Sequence, residues 1–94
     1  MAHDDLTFSL HMTIDTRLSS MKIVKLFTKH GWKWRNCAWD EYEIESHGVA
    51  ELVITSTNPI LMSGGVAADA DAIASIESIL NNDSVALFRT IRSK

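Results

Sequence analysis

Thr16-Arg17-Leu18-Ser19-Ser20-Met21-Lys22-Ile23-Val24-Lys25-Leu26-Phe27-Thr28-Lys29-His30-Gly31 reads as a helix with both ends marked and a strand-like segment on either side. Ser19 or Ser20 can start it, because a serine oxygen accepts from an otherwise unpaired amide of the first turn. Gly31 can end it, since glycine adopts the left-handed conformation that closes many helices. Lys29 and His30 sit where the helix dipole favours positive charge. Ile23, Leu26, Phe27 and His30 recur at offsets of three and four on one face, and Lys22, Lys25, Lys29 and Lys33 fall on another.

Outward from this helix, the segment before it alternates. Leu6, Phe8, Leu10, Met12 and Ile14 point one way and Thr7, Ser9, His11, Thr13 and Asp15 the other, the period of a strand with one buried face. Residues 1–5 are polar and are expected to fray. After Gly31, the aromatic and β-branched content of 32–45 favours extended structure, with a kink or bulge near Asn36. Tyr42 and Ile44 would face the core, and Trp39, Glu41, Glu43 and Glu45 the opposite side. Ser46-His47-Gly48 is a hairpin turn candidate, with Gly48 supplying the positive φ. Ala50, Leu52 and Ile54 alternate with Glu51, Val53 and Thr55 as a further strand.

Residues 56–68 read as a long loop, because Asn58-Pro59 and Gly64-Gly65 are breakers around the apolar Ile60-Leu61-Met62. Asp69 or Asp71 then caps a second helix with Ile73, Ile76 and Leu80 on its buried stripe, stopped by Asn81-Asn82-Asp83. Val85 to Ile91 is the last strand. The order strand, helix, strand, strand, helix, strand predicts an α+β fold: a ferredoxin-like βαββαβ sandwich over residues 1–94, with a four-stranded antiparallel sheet and two helices on one face.

Composition bounds the function. The chain has 94 residues, enough for one domain with its own core, and its 46% hydrophobic and 22% charged residues are those of an ordinary globule. A formal net charge of −3 argues against a dedicated nucleic-acid binder. One cysteine, Cys37, excludes an internal disulfide framework, so cytoplasm is the default compartment. No charged segment followed by an apolar run opens the chain, and no apolar run is long enough to span a bilayer.

Catalytic constellations are missing. His3, His11, His30 and His47 have no HExxH or paired CxxC/HxxxH spacing, so neither a metal nor another cofactor is expected. A lone cysteine is more often a small hydrophobe than a nucleophile. No serine lies in a GxSxG elbow, and no Lys-Ser/Thr follows Gly64-Gly65 as a phosphate loop requires. A non-enzyme is expected.

Met12-Thr13-Ile14-Asp15, the helix from Leu18 to His30, Gly31-Trp32-Lys33-Trp34, Leu52-Val53-Ile54-Thr55 and Ile76 to Val85 together form a pattern that resembles the ACT regulatory domain, in particular the small regulatory subunit of acetolactate synthase. The resemblance implies a homodimer with sheets paired side by side and an amino-acid effector at the pairing interface. Carried onto this chain, Asp15, Thr16, Arg17 and Ser19 would meet the ligand and Lys33 would take its anionic group. The chain departs from the family pattern in having Arg17-Leu18 where many members have Pro-Gly, Lys33 where Asn is common, and the insertion at 58–68.

Two functions follow. One is a small ACT-like regulatory protein that binds a small molecule and modulates a partner enzyme. The other is a protein-interaction module, such as an inhibitor or immunity-type protein, that docks a basic partner through Trp39, Glu41, Glu43 and Glu45. Like charges along one strand face repel, and a cationic partner would relieve them; the bland reading of the same residues is a sheet edge defended by charge.

Overall fold

The computed structural model describes residue 6, residues 8–82 and the backbone of residues 87–93. Eight elements follow one another: β1 (Phe8–Asp15), α1 (Ser20–Lys29), β2 (Lys33–Ala38), β3 (Glu41–Ser46), β4 (Ala50–Thr55), β5 (Ile60–Val66), α2 (Ala70–Asn82) and β6 (Leu87–Ser93). Leu10, Met12 and Ile14 of β1 are buried while Ser9, His11 and Asp15 are exposed, as their period of two requires. In α1 the Ser19 side chain accepts from the Lys22 amide at 3.3 Å and the buried stripe is Ile23, Val24 and Phe27. The Asp69 carboxylate accepts from the Asp71 amide at 2.9 Å and opens α2. The expected fraying of residues 1–5, the stop at Asp83 and the strand residues Val85 and Ala86 lie outside the described residues.

The sheet runs β2-β3-β4-β5-β1, continued beyond β1 by β6, and every neighbouring pair is antiparallel. This overturns the four-stranded ferredoxin-like sandwich. Two strands are added, each for an identifiable reason. The stretch 33–45 is not one kinked strand but a hairpin. The chain reverses at Trp39-Asp40, where Asp40 takes a φ of 57°, a conformation that Asp tolerates better than most residues. The irregularity near Asn36 is a register shift between Asn36 and Ala38.

The second addition is β5, inside the segment expected to be a loop. Ile60, Met62 and Val66 point into the core and Leu61 stays exposed, an ordinary alternation hidden in the sequence by two glycines. Gly64 is one reason the strand fits. It pairs with Leu52 on one side and Leu10 on the other, and a β-carbon there would lie 2.1 Å from the Glu51 carbonyl oxygen. β5 therefore stands between β4 and β1, which the expected topology would have paired directly.

Among the described residues the core is one cluster. Inward residues of β1, β3, β4 and β5 meet Ile23, Val24 and Phe27 of α1 and Ala72, Ile76, Ile79 and Leu80 of α2. Positions of opposite parity, among them Ser9, His11, Glu51 and Leu61, remain exposed, so both helices cover one face and leave the other open. Gly48, with a φ of 77°, turns the chain between β3 and β4.

Candidate protein-interaction surface

The β2–β3 hairpin forms one end of the sheet, and all six residues of β2 are exposed. α1 reaches both β2 and β3, yet it leaves every residue of β2 exposed. Trp34 is consequently 46% exposed and meets Tyr42 edge to face, with ring centroids 6.0 Å apart. The hairpin is held at its tip by Asn36, whose Nδ2 donates to the carbonyls of Ala38 and Glu41, both at 3.0 Å. Trp39 sits in the reversal itself and is 90% exposed. It does not share the strand face of Glu41, Glu43 and Glu45, because the turn takes it out of the pleat.

The structure redistributes the charge of this region. Lys33 lies opposite Glu45 and Arg35 opposite Glu43 in the β2–β3 register. Arg35 Nε donates to Glu43 Oε1 at 2.5 Å. That hydrogen bond, reinforced by the charge of Glu43, raises the guanidinium pKa above its ordinary value. Glu43 and Glu45 therefore face cations, whereas Asp40 and Glu41 follow Trp39 at the tip with no cation opposite them in the register. Glu51 continues the acidic row onto β4, opposite Glu45.

The residues expected to meet a small ligand are divided. Asp15, Thr16, Arg17 and Ser19 stand together between β1 and α1. There Thr16 Oγ1 accepts from the Leu18 amide at 3.1 Å and Ser19 caps the helix. Thr16 and Ser19 border a cleft of about 360 Å³ with Ser20, Ser56 and Asn58, and the hydroxyls of Ser20 and Ser56 hydrogen-bond across it. Lys33 is elsewhere. It begins β2, separated from β1 by three strands, roughly 19 Å at the usual strand spacing. It also lies at the opposite end of the sheet, because β1 and β2 run in the same direction.

A larger cleft of about 670 Å³ was not legible in the sequence. It lies between α2 and the end of α1, with Trp32, Val49 and Ile79 as apolar lining and Asp71, Ser75 and Ser78 along its rim. Trp32 is fixed there by an edge-to-face contact with Phe27, 5.0 Å between centroids. Its lining comes from distant segments whose side chains form no motif. Among the described residues no three of His, Cys, Asp and Glu are placed to hold a metal ion, and no helix is long and apolar enough to cross a membrane. Comparison with known proteins finds no matching family model, no matching curated protein and no matching solved structure.

Proposed function

We propose that this chain is a non-catalytic binding module that docks another protein through its β2–β3 hairpin, with Trp39 inserted, Asp40 and Glu41 beside it, and Glu43 and Glu45 farther along β3. The observation that carries this reading is the 90% exposure of Trp39 at the tip of a hairpin. An indole in that position contributes nothing to the core, yet tryptophan is among the side chains that most often dominate an interface when a partner buries it. Trp34 and Tyr42 extend the aromatic surface along the strand. The uncompensated Asp40 and Glu41 suit a partner pocket with a cationic rim, which raises the association rate by steering.

The test is capture of partners from a lysate by the wild-type chain and by Trp39→Ala, followed by binding measurements with the purified captured protein. Loss of binding with an unchanged melting temperature supports the proposal. Equal binding by both chains refutes it. A second reading is favoured by the coincidence of Thr16 and Ser19 with the 360 Å³ cleft: a small effector, such as an amino acid, bound at the start of α1. A ligand at about a hundred times its Kd would add roughly 2.7 kcal/mol to native stability, so a thermal-shift screen of amino acids separates the two readings.

A further inference from the structure

We propose that the free edge of β2 is a strand-addition site for an extended acidic segment of the partner protein. This deepens the docking role assigned to the hairpin and rests on it. β2 ends the sheet, so its outward amides and carbonyls pair with no strand among the described residues. Such an edge is a template for a further strand unless it is guarded. Here the guard is charge of one sign. Lys33 and Arg35 occupy one face of β2, and Trp34 and Asn36 the other.

The chain itself shows what matches that pattern. On the inner edge, β3 sets Glu45 opposite Lys33, Ile44 opposite Trp34 and Glu43 opposite Arg35. A segment alternating acidic and apolar residues on the outer edge would repeat the match. The Arg35 side chain remains 72% exposed while bonded to Glu43, and a guanidinium has donors for a second carboxylate. Trp34, exposed, offers ring surface to an apolar neighbour. The shift between Asn36 and Ala38 ends the regular ladder, so the added strand pairs over residues 33–36.

A second copy of this chain is the poorer occupant. Antiparallel pairing of two β2 edges sets Lys33 and Arg35 against their own duplicates, and like charges across strands destabilise a pair. The other end of the sheet is β6, whose sequence carries Arg89 and Arg92. The basic residues of the sequence concentrate before and within β2. Arg17, Lys22, Lys25, Lys29, Lys33 and Arg35 are six of the nine Lys and Arg residues, and no Asp or Glu lies between Asp15 and Asp40. α1, which carries Lys22, Lys25 and Lys29 exposed, packs over β2 and β3, so cations gather near the outer strand, while Glu43 and Glu45 lie on its inner side opposite Arg35 and Lys33.

The probe is the acetylated peptide Asp-Glu-Tyr-Glu-Ile-Glu-Ser, the chain's own 40–46 sequence, with a control peptide in which lysine replaces each glutamate. Titrated into the isotope-labelled full chain, the acidic peptide should shift the amides of residues 33–36 most, bind more tightly at low salt, and weaken when its inward-facing amides are N-methylated. The charge-swapped chain carrying Lys33→Glu, Glu45→Lys, Arg35→Glu and Glu43→Arg keeps both cross-strand pairs and reverses the outer edge. It should melt like the wild type, lose about tenfold in affinity for the acidic peptide and gain similarly for the lysine peptide. Equal binding of the two peptides, shifts centred elsewhere, or a peptide-free dimer with protected amides at 33–36 overturns strand addition. If strand addition fails while Trp39→Ala still abolishes capture of the partner, only the mode of docking is wrong. If Trp39→Ala also leaves capture intact, the docking role falls with it.

Discussion

Replacing Gly64 by alanine is the sharpest test of the sheet, because β5 is the strand that changes the topology. The added β-carbon would lie 2.1 Å from the Glu51 carbonyl oxygen and 3.0 Å from the Leu52 α-carbon, both backbone atoms of β4. Those distances are far inside the roughly 3.5 Å of a favourable contact, so β4 and β5 must separate or the strand must rotate. Gly64 also has a φ of 155°, which an alanine rarely adopts. Overpacking of this kind costs about 1–3 kcal/mol and the backbone conformation about 1–3 more; we take roughly 3 kcal/mol. A chain of 94 residues has roughly 5–14 kcal/mol to lose. Urea unfolding followed by tryptophan fluorescence and circular dichroism should show the midpoint falling by roughly 2 M at a slope of about 1.5 kcal/mol per molar. Two comparisons calibrate the result. Gly48→Ala meets nothing within 4 Å and bears only its φ of 77°, and Gly65→Ala touches Leu6 at 3.3 Å. If Gly64→Ala costs no more than Gly48→Ala, β5 does not lie against β4 in this register.

Phe27→Ala removes a fully buried ring and its edge-to-face contact with Trp32. It should cost about 3–5 kcal/mol by chemical denaturation, and a loss below 1 kcal/mol would place the ring outside the core. Ser19→Ala deletes the side-chain acceptor for the Lys22 amide and should lower stability by about 1 kcal/mol, recovered in part by Asp at the same position. A double-mutant cycle on Arg35 and Glu43 should return a coupling below about 1 kcal/mol that shrinks with salt, because the pair is exposed on the arginine side. Trp39→Ala, at an exposed turn, should leave stability within about 0.5 kcal/mol of wild type. A larger loss would mean that the indole packs against the fold and is unavailable to a partner.

Much of the local structure was legible in the chain. The alternation of Leu10, Met12 and Ile14, the serine start and glycine end of α1, and the turn at Gly48 each rest on interactions between residues a few positions apart. The reversal at Trp39-Asp40 carried no glycine or proline, so 33–45 read as one strand and not two. β5 failed for the opposite reason. Gly64-Gly65 reads as a breaker until the neighbouring strand is present, and then Gly64 is the residue that lets β4 approach. The candidate surface was half visible. Trp39, Glu41, Glu43 and Glu45 stood out by type, but the cations opposite two of the glutamates depend on a strand pairing that no local rule supplies.

The order of amino acids by itself determined which segments bury a face, because the periodicities of 2 and 3.6 residues are written directly in the spacing of apolar side chains. Only the tertiary structure decided how many strands the sheet has, which of them ends it, and that Lys33 lies far from Asp15. Strand order follows from contacts between residues distant in sequence. There the fit of a whole layer over its neighbours, including one missing β-carbon at Gly64, outweighs any preference a short stretch can express.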